Sequence, residues 1–161
     1  MKYDDFNKVF RSTMSKYMGQ RVIRPPFCGC SAASVGPVML LGRGLKNDEW
    51  GRKTLCHEHG HYLDYKDLGF FKYFLGIGLP SVINAKRKPE KRRIAGYYNQ
   101  PWEYRADNLA EVSRDEHTEE ALALSDAYYS YLKSLRGVKW FTFLFKDLCA
   151  FIRHDFKALE K

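Results

Sequence analysis

Residues 57–61 read His-Glu-His-Gly-His, which sets the pattern His-Glu-x-x-His at His57, Glu58 and His61. On a helix, positions i and i+4 share a face, so His57 and His61 can offer two imidazoles to one cation. Glu58 stands beside them, where a carboxylate can hold and deprotonate a metal-bound water. Zinc with two histidines, one further protein ligand and an open position lowers the pKa of that water to about 7. His59 lies about 200° around the helix from His57 and stays out of this set. Short patterns of this kind also arise by chance, but the surroundings here favour chemistry. Residues 50–65 hold no proline, and Leu55, Tyr62 and Leu63 supply a partly buried helical face. Gly60, inside the helix, costs about 1 kcal/mol relative to alanine. A glycine there implies close approach of another element, with the backbone of a packed strand as one candidate.

A third ligand is needed, and three residues compete for the role. Glu103 and Asp107, in Pro101-Trp102-Glu103-Tyr104-Arg105-Ala106-Asp107, form a second i, i+4 pair behind a proline suited to a first helical turn. One carboxylate can bind the ion while the other accepts the free N–H of a ligating histidine and fixes its tautomer. A solvated acidic face tied to Arg105 would give the same pattern. Asp67 is six residues beyond His61, where an extended motif (His-Glu-x-x-His-x-x-Gly-x-x-His/Asp) puts its ligand. That motif needs glycine where this chain has Asp64. His117 lies in a polar stretch with no supporting spacing. Glu103 ranks first of the three.

These residues must be carried by a fold of both helices and strands. Phe6, Val9, Phe10, Met14 and Tyr17 recur at three- and four-residue steps, which predicts an amphipathic helix over 4–18. Val35, Val38, Met39, Leu40 and Leu41 suit a buried strand within 31–41, running towards the motif helix. The edge of such a strand can accept an extended peptide as one more strand. Residues 68–81 are apolar but broken by Gly69, Gly76, Gly78 and Pro80, which argues against one regular helix. Over 70–83 a loop forming one wall of a cleft is favoured, with a membrane-dipping element as the rival. Helices are expected over 101–112, 118–135 and 138–158. The last two form a hairpin at Gly137, and the final helix is rich in Trp140, Phe141, Phe143, Phe145 and Phe151.

A chain of 161 residues with 45% hydrophobic and 16% aromatic content is a folded globule, expected as one domain over 1–161. The first twenty residues carry Asp4 and Asp5 and no apolar run, so no secretory signal is read. No stretch approaches the roughly eighteen apolar residues of a spanning helix. The expected location is cytoplasmic, with membrane association left open. Cys28, Cys30, Cys56 and Cys149 do not have the spacing of a disulfide framework and read as reduced, partly buried thiols. The net charge of +8 is concentrated: residues 86–93, KRKPEKRR, account for +5 of it. Lys86, Arg87, Lys88, Lys91, Arg92 and Arg93 suit either a solvated loop or contact with nucleic acid or an anionic membrane surface.

His57-Glu58-x-x-His61 followed by Glu103-x-x-x-Asp107 resembles the zincin metallopeptidases of gluzincin type. It is especially similar to small bacterial metallopeptidase-like proteins with a His-Glu-x-Gly-His helix, an apolar Leu-Gly and Gly-x-Pro-Ser segment, and a Trp-Glu-x-x-Ala-Asp helix. The matching positions here are His57, Glu58, Gly60, His61, Leu68, Gly69, Gly78, Pro80, Ser81, Trp102, Glu103, Ala106 and Asp107, within residues 33–112. The resemblance implies zinc on His57, His61 and Glu103, Asp107 supporting the first histidine, and Glu58 as the base. It further implies an α+β, zincin-like fold: a short sheet with a substrate-edge strand packed on the zinc helix, and a helical C-terminal half. The activity implied is zinc-dependent hydrolysis of a peptide or protein substrate. This chain departs by placing 41 residues between His61 and Glu103. No motif marks the tyrosine or histidine that often stabilises the tetrahedral intermediate; Tyr97, Tyr98 and His117 are the candidates. The competing expectation is a non-catalytic zinc-containing module that binds nucleic acid or membrane through 86–93.

Overall fold

The computed structural model describes residues 3–86, 96–153 and 155–159. Of the basic run, Lys86 is described and exposed, whereas Arg87, Lys88, Lys91, Arg92 and Arg93 lie outside the described residues. The architecture is α+β, with a four-stranded sheet in the order β1-β2-β4-β3 and helices through the rest of the chain. The chain divides into two compact units, Met1–Asp67 with Ala106–Val112, and Leu68–Arg105 with Ser113–Lys161.

The first unit opens with α1 (Tyr3–Arg11) and continues through β1 (Met14–Tyr17), β2 (Gln20–Ile23), β3 (Ala32–Val35) and β4 (Val38–Leu41) to α2 (Glu49–Leu68). The expected helix over 4–18 therefore stops at Arg11. Met14 and Tyr17 keep helical spacing in the sequence, but Met18 (φ 45°) and Gly19 (φ 87°) make a tight turn. That turn folds β1 antiparallel onto β2, with Met14 opposite Ile23. Two successive positive φ values match the right-handed twist of paired strands. Residues 31–41 likewise form two strands, because Gly36 (φ 55°) and Pro37 turn β3 back onto β4 with Ala32 opposite Leu41. β4 pairs in parallel with β2 on its other side, Val22 opposite Met39. The strand that runs into α2 is thus internal, and among the described residues the free edges belong to β1 and β3.

Val22, Met39 and Leu41 point from the sheet into a core shared with Val9, Phe10, Tyr17, Leu45 and Leu55. Full burial of a side chain of this kind contributes about 1.5–3 kcal/mol. Arg24 is buried beside them, its guanidinium donating to the carbonyls of Phe10, Gly42 (3.1 Å), Arg43 (3.0 Å) and Leu45 (2.7 Å). One side chain thereby satisfies the backbone of the loop that leads into α2.

In the second unit, residues 70–85 are helical from end to end, which corrects the expected loop. α3 (Phe70–Tyr73) and α4 (Leu79–Ala85) are joined by a π-turn over Phe74–Gly78. Pro80 occupies the first turn of α4, where its missing N–H costs little. A π-turn leaves a carbonyl outside the usual i+4 pattern, and here the buried Tyr128 hydroxyl donates to Gly76 O at 2.5 Å. α5 (Pro101–Leu109) starts in this unit and ends in the first. α6 (Glu119–Ser134) is capped by Thr118, whose side chain accepts from Ala121 N at 3.2 Å. The stretch expected as one helix over 138–158 consists of α7 (Val138–Thr142), a second π-turn (Phe143–Asp147), α8 (Leu148–Ile152) and a 3-10 turn (Lys157–Leu159). Trp102, Tyr128, Phe143 and Phe151 are among its fully buried side chains. No described helix is long and apolar enough to cross a membrane.

Candidate metal centre

α2 carries the histidine pair, and the register of its 20 residues puts both rings on one face. The His57 and His61 rings lie 4.8 Å apart, edge to face. Gly60, between them, faces α5: a Cβ built there would sit 1.9 Å from the Ala106 carbonyl oxygen and 2.8 Å from Ala106 Cα. The close approach implied by that glycine is therefore to a helix, not to a strand. Absence of a side chain at Gly60 lets the two backbones come together at the level of the motif.

The consequence appears one residue further along α5. Asp107 Oδ1 accepts from His57 Nδ1 at 2.8 Å, with both side chains buried. An ionised carboxylate only accepts, so with Nδ1 as the donor a neutral ring would keep its Nε2 lone pair for a cation. Glu103 is one helical turn upstream of Asp107 and fully buried. Ligand atoms of His57, His61 and Glu103 all lie within 4.8 Å of one another. Two imidazoles and one carboxylate are the donor set of a three-ligand zinc site. The oriented tautomer of His57 also fits such an ion.

No family model, curated protein or solved structure matches this chain. The meaning of the site therefore rests on its own chemistry. Among the described residues, His57, His61 and Glu103 are the only metal-capable group of three. Asp67 is exposed near the end of α2. His117 is half-buried against Tyr104, ring centres 4.4 Å apart. Neither belongs to the group.

The other residues considered for the site fall at different distances from it. Glu58 is buried on α2, next to His57. Tyr97 donates its hydroxyl to Glu103 Oε1 at 2.8 Å, with Ser81 Oγ 3.4 Å from the same hydroxyl. Tyr97 therefore holds the Glu103 carboxylate, a role that no spacing in the sequence announces. Tyr98 instead stacks under the Arg114 guanidinium, 3.4 Å from its ring centre. His59 turns away to pack against the rings of Tyr17 and Tyr62. Burial, helped by the charge of Lys66, holds its imidazole below the ordinary pKa.

The thiols are all free, with Cys28 and Cys56 partly buried as expected and Cys30 and Cys149 exposed. Burial pushes the Cys56 thiol up in pKa, against the opposing effect of its contact with the Tyr17 hydroxyl.

Proposed function

We propose that this chain is a zinc-dependent metallopeptidase of gluzincin-like design, with His57, His61 and Glu103 as ligands and Glu58 as general base. The observation that carries this reading is the convergence of those three ligand groups, His57 already oriented by its 2.8 Å bond to Asp107. Isolated helical histidines have no need of a buried carboxylate aligned on the far nitrogen.

Bound zinc would supply Lewis acidity towards the scissile carbonyl and a water acidic enough to be deprotonated near neutral pH. The protein residues would do the rest. Glu58 takes one proton from the attacking water as oxygen adds to the carbonyl carbon, then returns it to the amine nitrogen as the C–N bond breaks. Asp107 keeps the His57 ring from rotating, and Tyr97 keeps Glu103 in its binding rotamer. An extended peptide would pair with the free edge of β3, since β4 is occupied on both sides. Gly36, in the β3–β4 turn, lies against the Tyr65 ring of α2, so this hairpin packs on the motif helix.

The test is Glu58→Gln, compared with wild type for zinc content by elemental mass spectrometry and for cleavage of a peptide library. The expected variant binds about one zinc per chain and loses turnover by about 10²–10⁴-fold. Cleavage at the wild-type rate would remove Glu58 from its role. Failure of the wild-type chain to take up zinc would remove the whole proposal.

A further inference from the structure

The second unit leaves an unusual amount of aromatic surface uncovered. Phe71 (70% exposed), Phe145 (82%) and Val138 (81%) stand out, with Phe70, Phe74 and Phe141 also exposed. Phe70 and Phe71 at the start of α3, and Phe141 on α7, line one open groove of about 510 Å³. Exposed apolar patches of this kind mark interaction surfaces.

The segments that carry the patch are rich in cations. Residues 68–86 and 133–146 contain six cations, Lys72, Lys86, Lys133, Arg136, Lys139 and Lys146, and no acid. Lys72 and Arg136 line the same groove as the phenylalanines. Lys72 Nζ donates to the Lys133 carbonyl at 3.0 Å, which brings the ammonium towards that end of α6. Burial, then the charges of Arg136 and Lys133, lowers the Lys72 pKa. Two cations, Lys72 and Arg136, thus stand together on an apolar groove, where an anion would relieve their repulsion.

We propose that this face docks on anionic phospholipid membranes, Phe70, Phe71 and Phe141 entering the headgroup–acyl boundary while Lys72 and Arg136 meet lipid phosphates. Apolar burial combined with cationic attraction is how peripheral elements bind such surfaces. A second copy of the chain fits less well, because a symmetric contact would bring two sets of cations together. Nucleic acid also fits less well, since base stacking needs free ring faces. Here Phe70 stacks on Phe74 at 5.9 Å and 7°, and Phe71 meets Phe70 edge-on at 5.5 Å. The surface is independent of the metal reading and stands or falls separately.

Flotation of the full chain with phosphatidylcholine vesicles, with and without phosphatidylserine, tests the proposal. Binding is expected only with phosphatidylserine and should weaken as salt rises. Phe71→Ser with Phe141→Ser should reduce binding by at least about tenfold per phenylalanine, with an unchanged melting temperature. Lys72→Glu with Arg136→Glu should reduce it by about fivefold per cation. Equal binding to neutral vesicles, or full binding by the double-serine variant, would overturn the proposal. So would loss of binding only on neutralising Arg87, Lys88, Lys91, Arg92 and Arg93, which would assign the membrane contact to the run. RNA binding without vesicle binding, or a dimer dispersed by Phe71→Ser, would give the face to another partner.

Discussion

Replacing Gly60 by alanine should damage the protein and the proposed metal site together, although alanine is the better helix former. On propensity alone the change stabilises α2 by about 1 kcal/mol. The new Cβ, however, would lie 1.9 Å from the Ala106 carbonyl oxygen, where real Cβ contacts essentially never fall below 3.0 Å. The obstacle is backbone, so no side-chain rotation relieves it, and the two helices must part by more than about 1 Å. Overpacking of this kind costs about 1–3 kcal/mol, and contact with rigid main chain places it at the upper end. A net loss of about 2 kcal/mol corresponds to a fall of about 4–8 °C in melting temperature for a chain of this size. The displacement also exceeds the tolerance of about 0.2 Å for metal–ligand distances. It would stretch the 2.8 Å bond between His57 and Asp107, the residue after Ala106. Zinc affinity, measured by competition with a chromogenic chelator, should therefore drop at least about tenfold. Gly78→Ala is the control: the first atom its Cβ meets is 3.8 Å away on Tyr73, so the helix should tolerate it or gain. A Gly60→Ala protein that melts at or above the wild-type temperature with unchanged zinc affinity would refute the reasoning.

Two further outcomes are expected. Asp107→Ala leaves the His57 ring free to rotate and should weaken zinc binding about 10–100-fold; chelator competition giving the wild-type constant would show that the bond does not orient the ligand. Stability should also decline at alkaline pH through Tyr128 and Tyr131. Burial and then Tyr131 raise the Tyr128 pKa, while burial and then Asp147 raise that of Tyr131, both from an ordinary value of 10.0. The unfolded chain therefore loses these protons first, so their stabilisation is complete below about pH 10 and falls as pH rises beyond it. Melting temperatures from about pH 8 to about pH 11 should show that slope, reduced in Tyr131→Phe; an identical slope in the variant would remove the assignment.

The residues grouped at the candidate site were readable because helical i, i+4 spacing states itself directly in sequence. His57 and His61 share a face on that rule, and so do Glu103 and Asp107. The β1–β2 hairpin was not readable, because Met14 and Tyr17 continue the spacing of α1 and the strand is only four residues long. What decides it is the pair of positive φ values at Met18 and Gly19, of which only the glycine leaves a trace in the sequence. The segment after α2 misleads for the opposite reason. Gly76, Gly78 and Pro80 are helix breakers by propensity, yet one is consumed by packing and one by its position. A Cβ at Gly76 would meet the Leu132 side chain at 2.7 Å, and Pro80 sits in a first turn. Tyr97 reached Glu103 through a turn whose geometry no periodicity encodes.

The crossing of α2 and α5 connects these observations physically. A glycine at position 60 gives up about 1 kcal/mol of helix propensity, and that loss is offset only if the closeness it permits does something. Three of the residues on the two facing surfaces, His57, Gly60 and Asp107, serve a single geometry: backbone contact at Ala106 sets the separation, and the carboxylate one residue later lands on His57 Nδ1. Glu103 is carried by the same helix, so its height relative to His57 follows from Asp107 through one turn, a rise of about 6 Å over four residues. An ordinary core would meet this crossing with an alanine and two apolar side chains, which pack without leaving charged groups to be desolvated. Buried Glu103 and Asp107 in their place are costly to folding unless something cationic shares the site. Tyr97 and His57 already bond these two carboxylates, and a shared cation, as we propose, would offset the remaining cost of burying them.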